Sequence, residues 1–158
     1  MKIYLILKIV LCVVACIVIG GLSGLATSNS INTWYVNLNK PSFNPPNWLF
    51  GPVWTLLYTL MGIAVALIWH KGWANKLVRN AVYLFAAQLI LNAFWSIAFF
   101  GMQSPVLGLM VIVVLLVLIV TCIILFRRID KVAAWLLLPY LLWVSFATVL
   151  NLSIVMLN

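Results

Sequence analysis

The stretch Trp34–Tyr58, WYVNLNKPSFNPPNWLFGPVWTLLY, holds three tryptophans, two tyrosines and four prolines. It starts as a polar interruption after one long apolar run and ends inside the next. A plain connection between two membrane helices needs no such composition. Proline fixes the backbone torsion φ and aromatic rings offer flat apolar faces. Together they predict a stiff lid over a flat ligand.

Working outward, the rest of the chain is almost wholly apolar. Of 158 residues, 67% are hydrophobic and 6% charged, against about 25% charged in a soluble domain. Such a chain cannot cover a water-facing surface, so the bilayer is its solvent. A membrane-spanning helix takes roughly 20 apolar residues. Five such runs are visible, at 4–26, 52–70, 80–101, 105–126 and 132–156. The expected fold is an all-α membrane protein, a five-transmembrane-helix bundle forming one domain over residues 1–158, with a lid loop over 27–51. A cleaved signal peptide is not expected, because the first apolar run continues through Ile17–Leu22 without a polar break.

The net charge of +8 does not indicate nucleic-acid binding, because the charges sit in the connections. Lys2, Lys8, Lys71, Lys76, Arg79, Arg127, Arg128 and Lys131 fall on one side of a five-span topology, and only Lys40 falls on the other. Basic residues favour the cytoplasmic face. The expected orientation puts the N-terminus inside, with the C-terminus and the 27–51 loop outside. The basic face suits anionic lipid headgroups.

Punctuation is ordinary for helices. Ser104-Pro105 reads as an N-cap followed by proline in the first turn. Pro52 suits the start of the second helix. Asp130, one of a kind as an acidic residue here, reads as a helix cap beside Arg127 and Arg128. Pro139 should kink the fifth run. Gly20 and Gly24 form a small-xxx-small pair, open to three readings: helix packing, backbone access to a ligand, or dimerisation. Cys12, Cys16 and Cys122 lie in predicted spans without histidine or carboxylate neighbours, so no metal site is expected.

Polar residues at membrane depth are costly unless they face protein or a cavity. Gln88, Asn92 and Ser96 repeat every four residues on one face of the third run, flanked by Trp95. Trp143, Ala147 and Asn151 repeat likewise on the fifth, with Tyr140 one turn earlier. Trp54 and Tyr58 are one turn apart on the second. At about 1.5 Å rise per residue these positions reach similar depth beneath the loop. A pocket with aromatic walls and a few neutral hydrogen-bonding groups fits the pattern. So does plain helix packing, since Asn and Gln also bond neighbouring helices and Trp also anchors helices at the interface.

Several ordered motifs give the chain a wider likeness. They are Trp34-Tyr35, Lys40-Pro41-Ser42, Asn44-Pro45-Pro46, Phe50-Gly51-Pro52-Val53-Trp54 with Leu57-Tyr58, Gln88–Phe100 and Trp135–Asn151. Over roughly residues 20–158 the chain resembles the TspO/MBR family of translocator and tryptophan-rich sensory proteins. The resemblance implies five spans, a homodimer, and a pocket in the outer half of the bundle closed by the first loop. It implies porphyrins such as protoporphyrin IX as ligands, along with synthetic isoquinoline carboxamides and benzodiazepines. Carried over by position, the pocket residues are Tyr35, Pro45, Trp54, Asn92, Ser96, Trp143 and Ala147, with Tyr58 and Trp95 nearby; spacing adds Asn151. The animal members' sterol-associated Tyr/Arg segment has no counterpart in Val149–Asn158, VLNLSIVMLN, so the chain looks like a bacterial cell-membrane member.

Three functions follow as expectations. The first is a porphyrin-binding sensor or transporter-like protein with no required cofactor. The second is light-driven porphyrin breakdown with Trp54 and Trp143 as electron donors. The third is a structural subunit. Hydrolysis is not expected from a chain with one histidine, one acid and no triad. His70 lies too far down the second run to ligate a haem in the outer half.

Overall fold

A computed structural model describes residues 2–158, apart from the side chains of Lys2 and Asn32. Its helices are α1 (Lys2–Thr33), α2 (Asn47–His70), α3 (Lys76–Ser96), α4 (Pro105–Ile129), α5 (Lys131–Leu136) and α6 (Leu138–Leu157). A 3₁₀ turn spans Tyr35–Asn37, and α3 closes in a π turn over Ile97–Gly101. Five segments are long and apolar enough to cross a membrane, with α5 and α6 together making the fifth. Around the bundle, α1 touches α2 and α3, α3 touches α4, α4 touches α5 and α6, and α5 returns to α2.

Two expected boundaries move. The first helix runs on to Thr33 instead of ending at residue 26, and the second starts at Asn47 instead of residue 52. The lid therefore covers 34–46 rather than 27–51. In α1 the hydroxyls of the added segment bond back to the helix. Thr27 donates to the Ser23 carbonyl at 2.9 Å, Ser28 to Leu25 at 2.9 Å and Thr33 to Asn29 at 2.8 Å. Folding back satisfies each of these hydroxyls within the helix, so they bring no unpaired donor with them. Apolarity marks where hydrocarbon ends, not where a helix ends. In α2 the extended backbone of Pro46 forms the N-cap, so Pro52 sits inside the helix.

Other punctuation falls where the residues point. Ser104 accepts the Leu107 amide at 3.3 Å, with Pro105 opening α4. Gln103, at φ 52°, turns the chain out of the π segment. Leu137 interrupts the fifth span, and Pro139 stands in the first turn of α6. Asp130 caps α5 through the amides of Val132 (2.9 Å) and Ala133 (3.2 Å). Its ion pair is with Lys71 of the α2–α3 connection, at 2.6 Å, instead of the adjacent arginines. That pair ties α2 to the fifth span. Lys71 holds the Asp130 carboxyl below the usual carboxylate range.

One buried cluster runs through the bundle, including Met61, Ala64 and Ile68 of α2, Phe85 of α3, Ile112 and Phe126 of α4, and Tyr140 and Val144 of α6. Lipid tails are as apolar as these side chains, so close packing rather than water exclusion holds the spans together. Small residues permit it. A Cβ at Gly62 would stand 2.5 Å from Val13 Cα, so α1 and α2 meet almost backbone to backbone there. A Cβ at Gly108 would stand 2.8 Å from the Phe99 ring.

Candidate functional site

Two compartments lie beneath the loop, with a wall of rings in common. The larger, about 430 Å³, sits between α1, α2 and α3. The smaller, about 30 Å³, sits between α3 and α6. Tyr35, Phe50, Trp54, Trp95 and Phe100 line both. Tyr35, Trp95, Phe100 and the neighbouring Phe99 meet in edge-to-face and stacked pairs. Tyr35 meets Phe100 at 5.5 Å and Phe99 at 6.1 Å, and Trp95 stacks on Phe99 at 5.6 Å. Such arrangements suit the ring quadrupole.

The larger compartment has one flat wall. Trp54 and Tyr58 stack with centroids 5.3 Å apart and planes at 26°. Their one-turn spacing on α2 puts them in line, and Gly20 lets the Tyr58 ring lie against α1. A Cβ at Gly20 would collide with that ring. Opposite, α1 contributes Gly21, Ser23, Gly24, Thr27 and Ile31.

Polar groups converge at the base of the compartment. Tyr58 donates to Asn92 Oδ1 at 2.7 Å. Asn92 Nδ2 donates to the Tyr140 hydroxyl at 3.0 Å, and Tyr140 donates to Gln88 Oε1 at 2.9 Å. Tyr58 and Asn92 line the cavity, while Tyr140 and Gln88 are wholly buried behind it. Gln88 Nε2 has no partner among the described residues. Nearby, Ser96 and Thr27 hydroxyls meet at 3.2 Å. The Thr27 hydroxyl also lies 2.9 Å from the Ser23 carbonyl and 3.2 Å from that of Gly24.

The roof is pinned at several points. Tyr35 is buried and donates to Asn44 Oδ1 at 2.8 Å. Burial pushes its phenol upward in pKa, against the Asn44 hydrogen bond. Lys40 lies 4.8 Å above the Tyr35 ring and donates to the carbonyls of Val36 (3.1 Å) and Leu38 (3.3 Å). Its ammonium is occupied by the roof itself. Asn39 and the chain end form a latch: Asn39 N donates to Asn158 Oδ1 at 3.0 Å, and Asn158 Nδ2 donates to the Asn39 carbonyl at 3.0 Å.

Of the ten residues expected in one pocket, the larger compartment gathers Tyr35, Trp54, Tyr58, Asn92, Trp95 and Ser96. Trp143 and Ala147 are not with them. They line the smaller compartment, because Phe50 packs edge-on to Trp143 at 5.9 Å and closes the way across. Asn151 also faces the smaller side. Its amide donates to the Pro105 carbonyl at 2.8 Å and its oxygen accepts from the Trp95 indole at 3.4 Å, so it joins α3, α4 and α6. Pro45 lines neither compartment; its carbonyl accepts from Asn44 at 3.0 Å. His70 ends α2 at the far end from the loop.

The α1 wall was missed as a set. Gly20, Gly24, Thr27 and Ile31 recur at helical spacing with Ser23 alongside, a readable small and polar stripe. It admitted packing, ligand access and dimerisation alike; in the structure Gly20 packs against Tyr58 and the stripe lines the larger compartment. Phe50 and Phe100 were likewise outside the expected set.

Fold and site together define a five-span helical membrane protein with an aromatic-walled cavity under a pinned loop. The chain belongs to the TspO/MBR family, which it matches over residues 12–157. It is 48% identical over 153 residues to the tryptophan-rich protein TspO of Chlorobaculum tepidum, covering 97% of each chain. It is 45% identical to the protein of that name from Archaeoglobus fulgidus, covering 97% of this chain and 98% of that one. With the human translocator protein it shares 37% identity over 120 residues, 75% of this chain and 70% of the human one.

Proposed function

We propose that this membrane protein binds a flat, hydrophobic, porphyrin-type ligand in the α1–α2–α3 compartment and acts as a sensor or transporter-like protein. The observation that carries the reading is the compartment itself. Its volume of about 430 Å³ lies within the range of about 300–1,000 Å³ usual for small-molecule sites. The Trp54–Tyr58 stack offers a flat face to a macrocycle. Asn92 and Ser96 offer hydrogen bonds at its edge. The names of relatives, translocator protein and tryptophan-rich sensory protein, agree with carriage or sensing. Among the described residues no charged side chain lines the cavity, which fits passive binding better than ion-coupled pumping.

The reading includes a cell-membrane location with the basic end inside and the loop outside, by the asymmetry of lysine and arginine. It also includes a homodimer. A photochemical reading draws on Trp54, which lines both compartments. Trp143 stands beyond the shared wall and is the weaker donor candidate.

The test is a dark titration of the purified protein with protoporphyrin IX, followed by tryptophan quenching. Saturable quenching is expected. Gly24→Leu fills the larger compartment and should weaken binding at least about tenfold, whereas Ala147→Phe and Trp143→Phe should change it less than about threefold. A folded protein without saturable binding would sink the porphyrin reading. Illuminating the complex then tests chemistry: turnover lost in Trp54→Phe with binding retained would favour photochemical breakdown.

A further inference from the structure

The seam between α1 and α2 changes character along its length. Toward the basic end the helices touch at Val13 and Gly62, with a virtual Cβ 2.5 Å from backbone. One turn nearer the loop, the Tyr58 ring wedges against Gly20. Beyond that wedge the glycines face open space. A Cβ placed on Gly21, Gly24 or Gly51 meets no atom within 4 Å. Gly21 and Gly24 of α1, and Gly51 and Thr55 of α2, all line the larger compartment. All four are also exposed. Glycines with vacant side-chain positions on two neighbouring helices make this the thinnest part of the cavity wall.

We infer that the larger compartment is loaded sideways, from the hydrocarbon of the bilayer, through a slot between the loop-proximal halves of α1 and α2. Both lips belong to membrane-spanning segments, Ile3–Ile31 and Asn47–His70. Thr55 lies eight residues into α2, about 12 Å along its axis, within one leaflet of a hydrocarbon core about 30 Å thick. The lips are apolar to a passing ligand. The Thr55 hydroxyl is spent on the Gly51 carbonyl at 2.9 Å, and glycines present little but backbone already bonded within a helix. Only 6% of the most apolar stretch of α1 is buried, against 44% for α2, so α1 is the least anchored wall.

The roof, by contrast, is pinned by the Asn39–Asn158 latch and the Tyr35–Asn44 bond. Entry through the slot breaks none of these. The ligand class follows: a flat or chain-like amphiphile that partitions into lipid before it meets the protein.

This inference rests on the binding reading above, and the two fail separately. In proteoliposomes, equilibrium quenching by protoporphyrin IX comes first; a wild-type protein without saturable binding removes the binding reading itself. With binding present, stopped-flow rates test the route. Bulk on the lips, in the series Gly21→Ala, Gly21→Leu and independently Thr55→Leu, should slow association and dissociation together. The expected slowing is at least about fivefold at the leucine variants, with Asn158→Ala within about twofold of wild type. Saturable binding in each variant shows that it is folded, and Thr55→Leu serves if Gly21→Leu is not. Unchanged association in the lip variants, or association accelerated more than about fivefold by Asn158→Ala, would overturn the lateral route in favour of the roof.

Discussion

At the residue scale, Tyr140 has the most consequential polar atom in the bundle. Its hydroxyl accepts from Asn92 and donates to Gln88, at full burial. Removing it leaves two further polar groups without these partners, and a buried polar group left unpaired costs about 1–3 kcal/mol. Tyr58→Phe deprives only Asn92 Oδ1. Tyr140→Phe should therefore destabilise by about 1–3 kcal/mol, and Tyr58→Phe by about 1 kcal/mol or less, since such bonds are worth less inside membranes. Unfolding in graded detergent mixtures checks the order. Equal costs for the two variants would show that Asn92, not Tyr140, organises the network. The types and spacing of Asn92, Ser96, Trp54 and Tyr58 were legible in the sequence. That Tyr140 links Asn92 to Gln88 was not, because the connection crosses from α3 to α6.

At the element scale, Asp130 does two tasks that one residue position reveals only in part. The cap on α5 follows from its place before a helical run. The bond to Lys71 depends on how the α2–α3 connection folds back against α5. Asp130→Asn retains an acceptor for the cap and loses the ion pair. Asp130→Ala loses both and should cost about 1 kcal/mol. The carboxyl is held below its ordinary range by Lys71. Its contribution is therefore present at neutral pH, above the unfolded pKa, and is lost as pH falls through the lowered folded value, below about 4. Unfolding measured from pH 7 down to pH 3 should show wild-type stability falling more than that of Asp130→Ala. Parallel curves would assign the acid sensitivity elsewhere. Helix ends were the least legible elements. Pro52 and the polar Thr27–Thr33 segment both looked like boundaries, yet α1 runs on to Thr33 with its hydroxyls bonded back to the helix, and α2 opens at the Pro46 cap.

At the scale of the whole molecule, the cavity exists because α1 and α2 meet at one end of their seam and part at the other. Gly62 sets the closed end. Gly62→Leu would force Val13 away, with an overpacking cost of about 1–3 kcal/mol. It should also loosen the Tyr58–Gly20 contact above it. The expected outcome is lower stability together with weaker porphyrin affinity, measured on the same preparation. Lower stability with unchanged affinity would show that the cavity does not depend on that closed end.

What the sequence by itself determined is the solvent, the number of spans and the residues that tolerate burial at the loop end. Those follow from apolar run length, from charge confined to connections and from polar residues spaced along single helix faces. Each is a property of one segment. Only the tertiary structure decided which faces meet. It set Trp143, Ala147 and Asn151 on one side of a ring partition and the Trp54–Tyr58 face on the other, and it made the α1 glycines a cavity wall. The physical reason is that a helical repeat gives every face the same period, while the choice between neighbours is made by close contacts such as Val13–Gly62, Gly20–Tyr58 and Phe50–Trp143, each joining residues far apart in the chain.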